Sequence, residues 1–134
     1  MFSNGILNII PYISEIYIDL LVKNVSMNII EPLEVLDFHN FLARSFMILM
    51  DSGGIQEEAP SLGKSVLVMR DTTERPEGIR VGTLKLVGID EQVIYDNFML
   101  LLEDKEVYDA MSKASNPYGD GFACKRIADV LEAD

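Results

Sequence analysis

Two short apolar runs without polar alternation, Phe46-Met47-Ile48-Leu49-Met50 and Ser65-Val66-Leu67-Val68-Met69, constrain this chain most. A strand with one wet face alternates apolar and polar residues, so an uninterrupted run reads as a strand covered on both faces. The stretch between them opens with Asp51-Ser52-Gly53-Gly54, carries a helical segment over Ile55 to Leu62 and closes at Gly63-Lys64. That is enough chain for the crossover that joins parallel strands. Thr83 to Val87 repeats the strand pattern, and upstream Val25 to Ile30 alternates until Glu31-Pro32 stops it, with a helix from Asp37 to Ser45 leading into the run at Phe46. Short buried strands alternating with helices predict an α/β fold: a Rossmann-like, doubly wound small parallel sheet flanked by helices.

The rest of the chain fits one domain over residues 1–134. Residues 8–22 place Ile9, Ile13, Ile16, Leu20 and Leu21 at helical steps. Helices are expected from Asp90 to Glu103, from about Lys105 to Ala114, and from beyond the turn Asn116-Pro117-Tyr118-Gly119-Asp120-Gly121 to the end; Arg70 to Gly82 reads as a polar connection. Eleven Lys+Arg against twenty-two Asp+Glu give a formal charge of −11, which disfavours a nucleic-acid partner. The single cysteine, Cys124, rules out an internal disulfide and suits a reducing cytoplasm; with Ala123 and Ile127 beside it, it is expected to pack in the core. Pro11, Glu15 and Asp19 interrupt the apolar stretch Gly5 to Leu21, so neither a targeting segment nor a membrane span is expected. No His/Cys spacing points to a metal, and no cofactor is expected.

The densest chemical signal is the Asp51-Ser52-Gly53-Gly54 loop between a buried strand and a helix. In open parallel sheets ligands bind beyond the carboxyl ends of strands, where glycines let backbone come close to an anion. The same residues also read as an ordinary helix start, Ser52 capping and Gln56 or Glu57 completing a capping box. Five of the eleven basic residues, Lys64, Arg70, Arg75, Arg80 and Lys85, fall in one stretch, and an arginine fork suits phosphate oxygens. A loop paired within itself, Arg75 with Glu74 or Glu77, is the competing reading. Glu57 and Glu58 suit an exposed helix face or, for one of them, the hydroxyls of a ribose. His39, the only histidine, reads as a capping or surface residue with no partner acid evident from spacing.

These residues also carry a likeness. Glu31-Pro32-Leu33, Asp37-Phe38-His39-Asn40-Phe41, the run from Asp51 to Lys64, and Arg70-Asp71-Thr72-Thr73-Glu74-Arg75-Pro76-Glu77-Gly78 closely resemble the non-hydrolysing UDP-N-acetylglucosamine 2-epimerases of bacteria. Asn116 to Gly121 matches near the family's C-terminus, so the likeness covers about Ile29 to Glu132. It implies the C-terminal domain of a glycosyltransferase-B fold and a reaction that interconverts UDP-N-acetylglucosamine and UDP-N-acetylmannosamine by eliminating and re-adding UDP. It further implies that Ser52, Gly53 and Gly54 hold the diphosphate, that Glu58 accepts the ribose hydroxyls, that Phe38 and the backbone around Leu33 border the uracil, and that Arg75 faces phosphate and sugar.

Departures accompany the likeness. The family's members are far longer, and their carboxylates and histidine at the sugar ring belong to the half that precedes the matched part. Ile6-Leu7-Asn8-Ile9 stands where the family carries a His-Leu-Asn-Pro type motif, Met50 replaces a usual Thr and Ser65 a usual Pro. Epimerisation at C2 needs a positioned base and an acid on the opposite face. The expectation is a UDP-binding half that is not competent alone, with UDP or UDP-N-acetylglucosamine, a separate N-terminal-half protein or a second copy as its partners. The competing expectation is a noncatalytic module that binds a nucleotide sugar or another protein.

Overall fold

The computed structural model describes residues 30–133. Its centre is a three-stranded parallel sheet in the order β1 (Met47–Met50), β2 (Ser65–Val68), β3 (Leu84–Leu86). Met47 sits opposite Ser65 and Met50 opposite Val68, while Val66 sits opposite Leu84, so all three strands run the same way and end at one edge. Helices fill the connections: α1 (Val35–Arg44) leads into β1, α2 (Ile55–Ser61) joins β1 to β2, and α3 (Pro76–Val81) joins β2 to β3. Three more follow, α4 (Glu91–Glu103), α5 (Lys105–Ser112) and α6 (Ala123–Glu132).

The period-two geometry of a strand sorts its side chains between two cores. Val66 and Val68 join Ile48, Met50, Leu84 and, from the helices, Leu42, Ile55 and Ala59 on one face. Leu67 joins Val87, Leu101 and Met111 on the other, with Phe98 and Tyr108 packed against them. The sheet is therefore covered on both sides, which is why β2 carries no polar alternation. The two outer strands are less enclosed: in β1 only Ile48 and Met50 are buried, a correction to the fully buried strand expected there. Phe46, expected to begin that strand, lies outside it, and its ring stacks on Tyr108 at 4.2 Å between centroids.

Turn and cap chemistry sets the boundaries. Asp90 opens α4 by accepting a hydrogen bond from the Val93 N–H at 3.0 Å, and Asp104 ends α4 and opens α5 by accepting from the N–H groups of Glu106 and Val107. The Arg70 to Gly82 segment, expected to be a polar connection, contains α3. Pro76 at its first turn and Gly82 at φ 85° just past its end are a helix start and stop that its charged composition obscured. The anticipated helix over residues 8–22 and strand over 25–30 lie outside the described residues, except for Ile30, which is in no strand.

Candidate functional site

Because β1 and β2 are parallel and in register, the segments that leave them emerge side by side. Asp51-Ser52-Gly53-Gly54 follows β1, and Met69 to Arg75 follows β2. The Met69 N–H donates to the Met50 carbonyl at 2.7 Å, joining the two segments at their roots.

A side chain joins them further out. Gln56, in the first turn of α2, is fully buried. Its Nε2 donates to the Ser52 carbonyl at 3.1 Å, and its Oε1 accepts from the Thr73 hydroxyl. Thr73 Oγ1 in turn accepts from the Arg75 N–H at 3.0 Å. One buried amide thus sets the glycine loop against the arginine loop, with donor and acceptor ends both satisfied. Sequence reasoning gave Gln56 only a capping-box role. Its inward position was signalled by its three- and four-residue spacing to Ala59 and Pro60, both buried.

The capping expectation does not hold. Gly54, with φ −66° and ψ −42°, is the N-cap of α2, and no side chain caps that end. Neither Gly53 nor Gly54 has positive φ, and a Cβ built on either meets nothing within 4 Å. The space above both glycines is open.

Glu57 and Glu58 follow one another on α2 and so point about 100° apart. Glu57 pairs with Nε of Arg75, whereas Glu58 Oε2 lies 3.1 Å from Nε2 of His39 on α1. The acid partner of His39 thus exists but is 19 residues away in sequence, beyond the reach of a spacing argument. Nor is Arg75 paired to the carboxylates of Glu74 or Glu77; its Nη1 donates instead to the Glu74 backbone carbonyl at 3.3 Å. Arg70 takes Glu74, with Nη1 3.1 Å and 3.2 Å from its two oxygens. The Glu74 carboxyl is held below the usual range, first by its own backbone N–H and then by the Arg70 guanidinium.

Among the residues anticipated from sequence, Ser52, Gly53, Gly54, Glu58 and Arg75 gather at the carboxyl edge of the sheet or on the helix behind it. Phe38 packs against the first core, its ring 6.2 Å from that of His39. Leu33 is partly buried ahead of α1. Cys124 is exposed on α6, contrary to the expected core position, because no residue of that helix is buried. Among the described residues no three His, Cys, Asp or Glu side chains gather as a metal site. No described helix is long and apolar enough to cross a membrane.

A sheet of parallel strands covered by helices on both faces, with two polar loops locked together at its carboxyl edge, defines a Rossmann-like α/β domain. Within that class the assignment is specific: the UDP-N-acetylglucosamine 2-epimerase family model matches residues 6–132, and the chain belongs to that family. The match extends the likeness upstream of Ile29. The chain is 65% identical over 105 residues to the UDP-N-acetylglucosamine 2-epimerase of Bacillus subtilis, covering 78% of this chain and 28% of that relative. It is 58% identical over 111 residues to that of Escherichia coli K12, covering 83% of this chain and 29% of the relative. Among solved structures, the Neisseria meningitidis UDP-GlcNAc 2-epimerase bound to UDP-GlcNAc superposes with a TM-score of 0.83 at 52% identity, covering 87% of this chain and 32% of that one. The Methanocaldococcus jannaschii enzyme in complex with UDP-GlcNAc and UDP gives 0.69 at 35% identity, with 87% and 31% covered. The chain spans less than a third of the length of each of these four proteins.

Proposed function

We propose that this chain is the UDP-gripping part of a UDP-N-acetylglucosamine 2-epimerase. The open surface over Gly53 and Gly54 takes the diphosphate against backbone N–H groups and Ser52. Arg75 approaches phosphate and sugar from the opposite loop: Glu57 holds its Nε, and among the described residues nothing hydrogen-bonds its Nη2. Glu58 accepts the ribose hydroxyls, and Phe38 with the backbone near Leu33 borders the uracil. The observation that carries this reading is the Gln56 bridge, which brings the Ser52 and Arg75 segments together at the edge where parallel sheets bind ligands. With Cys124 as its only cysteine, the protein suits a reducing compartment such as the cytoplasm.

In the reaction that the family implies, UDP leaves from C1 of the sugar as the C2 proton is removed, then adds back after a proton returns to the other face. The residues named here grip the leaving group, and none is assigned to C2. Positioning without proton transfer leaves that step unassisted. The 134-residue chain tested on its own is therefore expected to bind UDP without epimerising UDP-N-acetylglucosamine.

Calorimetric titration with UDP tests the grip. Glu58→Ala and Arg75→Ala should each weaken binding by about 1.5–3 kcal/mol, the contribution of a hydrogen bond to a charged group. Equal affinity in wild type and both variants would sink the site. Incubation with UDP-N-acetylglucosamine in deuterated water tests the chemistry: deuterium at C2 that disappears in Arg75→Ala would show that these residues do more than hold UDP.

A further inference from the structure

We propose that His39 is a positioning residue for Glu58, holding its carboxylate in the orientation that reads a ribose and so setting a preference for ribonucleotides over 2′-deoxyribonucleotides. The proposal rests on the reading of Glu58 as the ribose ligand and extends it to the group that aims it.

A glutamate on a helix surface has three side-chain torsions to fix before both of its oxygens can face a pair of neighbouring hydroxyls, and ordering them opposes binding. Glu58 is such a residue, with its side chain 46% exposed. Among the described residues its carboxylate has a single hydrogen-bond partner, Nε2 of His39 at 3.1 Å from Oε2. A carboxylate oxygen accepts two hydrogen bonds, so this donor leaves Oε1 and one lone pair of Oε2 for the sugar. Nε2 acts as donor both in the neutral tautomer protonated there and in the charged ring.

His39 is itself held in place. It lies on α1 between Phe38, which packs against the first core, and Leu42, which is buried in it. The contact therefore spans α1 and α2 and fixes Glu58 from outside its own helix. Glu57 has no such donor from α1, because it is taken by Arg75. The geometry distinguishes two adjacent acids: one holds the arginine, the other is aimed by the histidine.

The half-exposed positions of His39 and Glu58 mean that His39 can be changed without opening the core. The test titrates UDP and 2′-deoxyuridine 5′-diphosphate into wild type, His39→Ala and His39→Gln, the glutamine keeping an N–H donor of similar reach. Wild type should prefer UDP. His39→Ala should lose about 3- to 10-fold in UDP affinity, the span of one hydrogen bond's net contribution, with a smaller loss toward the deoxy ligand, which keeps only the 3′-hydroxyl for Glu58, and His39→Gln should recover most of the loss. With wild type discriminating, three results would overturn the role of His39: unchanged UDP affinity in His39→Ala, an equal loss for both ligands, or a glutamine variant no better than alanine. A wild type that binds neither ligand, or both equally, overturns the Glu58 reading itself and the positioning role with it.

Discussion

Strand β2 and helix α6 are both rich in apolar residues, yet they meet opposite fates. Every residue of β2 is buried, with Val66, Leu67 and Val68 at 0% exposure. In α6 none is, and Ile127, Val130 and Leu131 remain 60%, 65% and 72% exposed. Those three lie at the spacing of a helix stripe meant to face a partner surface. Polar contacts hold α6 locally: Asp120 accepts from the Phe122 N–H at 3.1 Å and pairs with Arg126, and Lys125 pairs with Asp129. Apolar content alone therefore does not make a core. β2 is enclosed because strands on both sides and helices on both faces reach it, whereas the stripe of α6 stays mostly exposed among the described residues.

This contrast predicts a steep gradient of mutational cost. Leu67→Ala, at the centre of the second core, should destabilise the fold by about 2–5 kcal/mol, whereas Leu131→Ala should stay within about 0.5 kcal/mol. Urea unfolding of both variants checks this, and a loss at Leu131 approaching that at Leu67 would break the comparison.

Gly78 sharpens it from the packed side. A Cβ there would lie 2.5 Å from Leu84 Cδ1 and 2.5 Å from the Tyr118 hydroxyl oxygen, so Leu84, itself in the first core, would have to move. Gly78→Ala should cost about 1–3 kcal/mol despite the better helix propensity of alanine. An unchanged denaturation midpoint would mean that α3 rides loosely on the sheet.

The smallest effect concerns acid. The Asp120 carboxyl is held below the usual range, chiefly by its hydrogen bond from Arg126 and then by the Phe122 N–H. A lowered folded value stabilises the structure above the ordinary aspartate value of about 3.9, and that contribution is lost as pH falls through the folded value. Between neutral pH and about pH 4 the start of α6 should hold; below it, amide exchange in Cys124 to Glu132 should rise before that of β2. Simultaneous loss of protection in both would show that α6 is coupled to the core after all.

Much of the candidate site's layout was legible in one dimension. Glycines after a buried run, an arginine after the next, and acids one turn into the intervening helix mark the carboxyl edge of a parallel sheet, because local patterns decide where strands end. Links between distant segments left no such trace. The Gln56 bridge to Thr73 crosses 17 residues, and the His39 to Glu58 contact crosses 19. Neither follows from spacing, since each depends on which elements the sheet sets side by side.

The sequence by itself therefore determined the α/β class, the three strands described and every helix around them except α3, and the loops that carry polar chemistry, since periodicity and turn residues act over a few neighbours. Tertiary structure alone decided which acid pairs with which base, that Gln56 points inward to lock two loops, and that Cys124 lies on an exposed helix. Burial and ion pairing are properties of what packs against a residue, and an amphipathic helix such as α6 carries the same sequence pattern whether or not its stripe is covered.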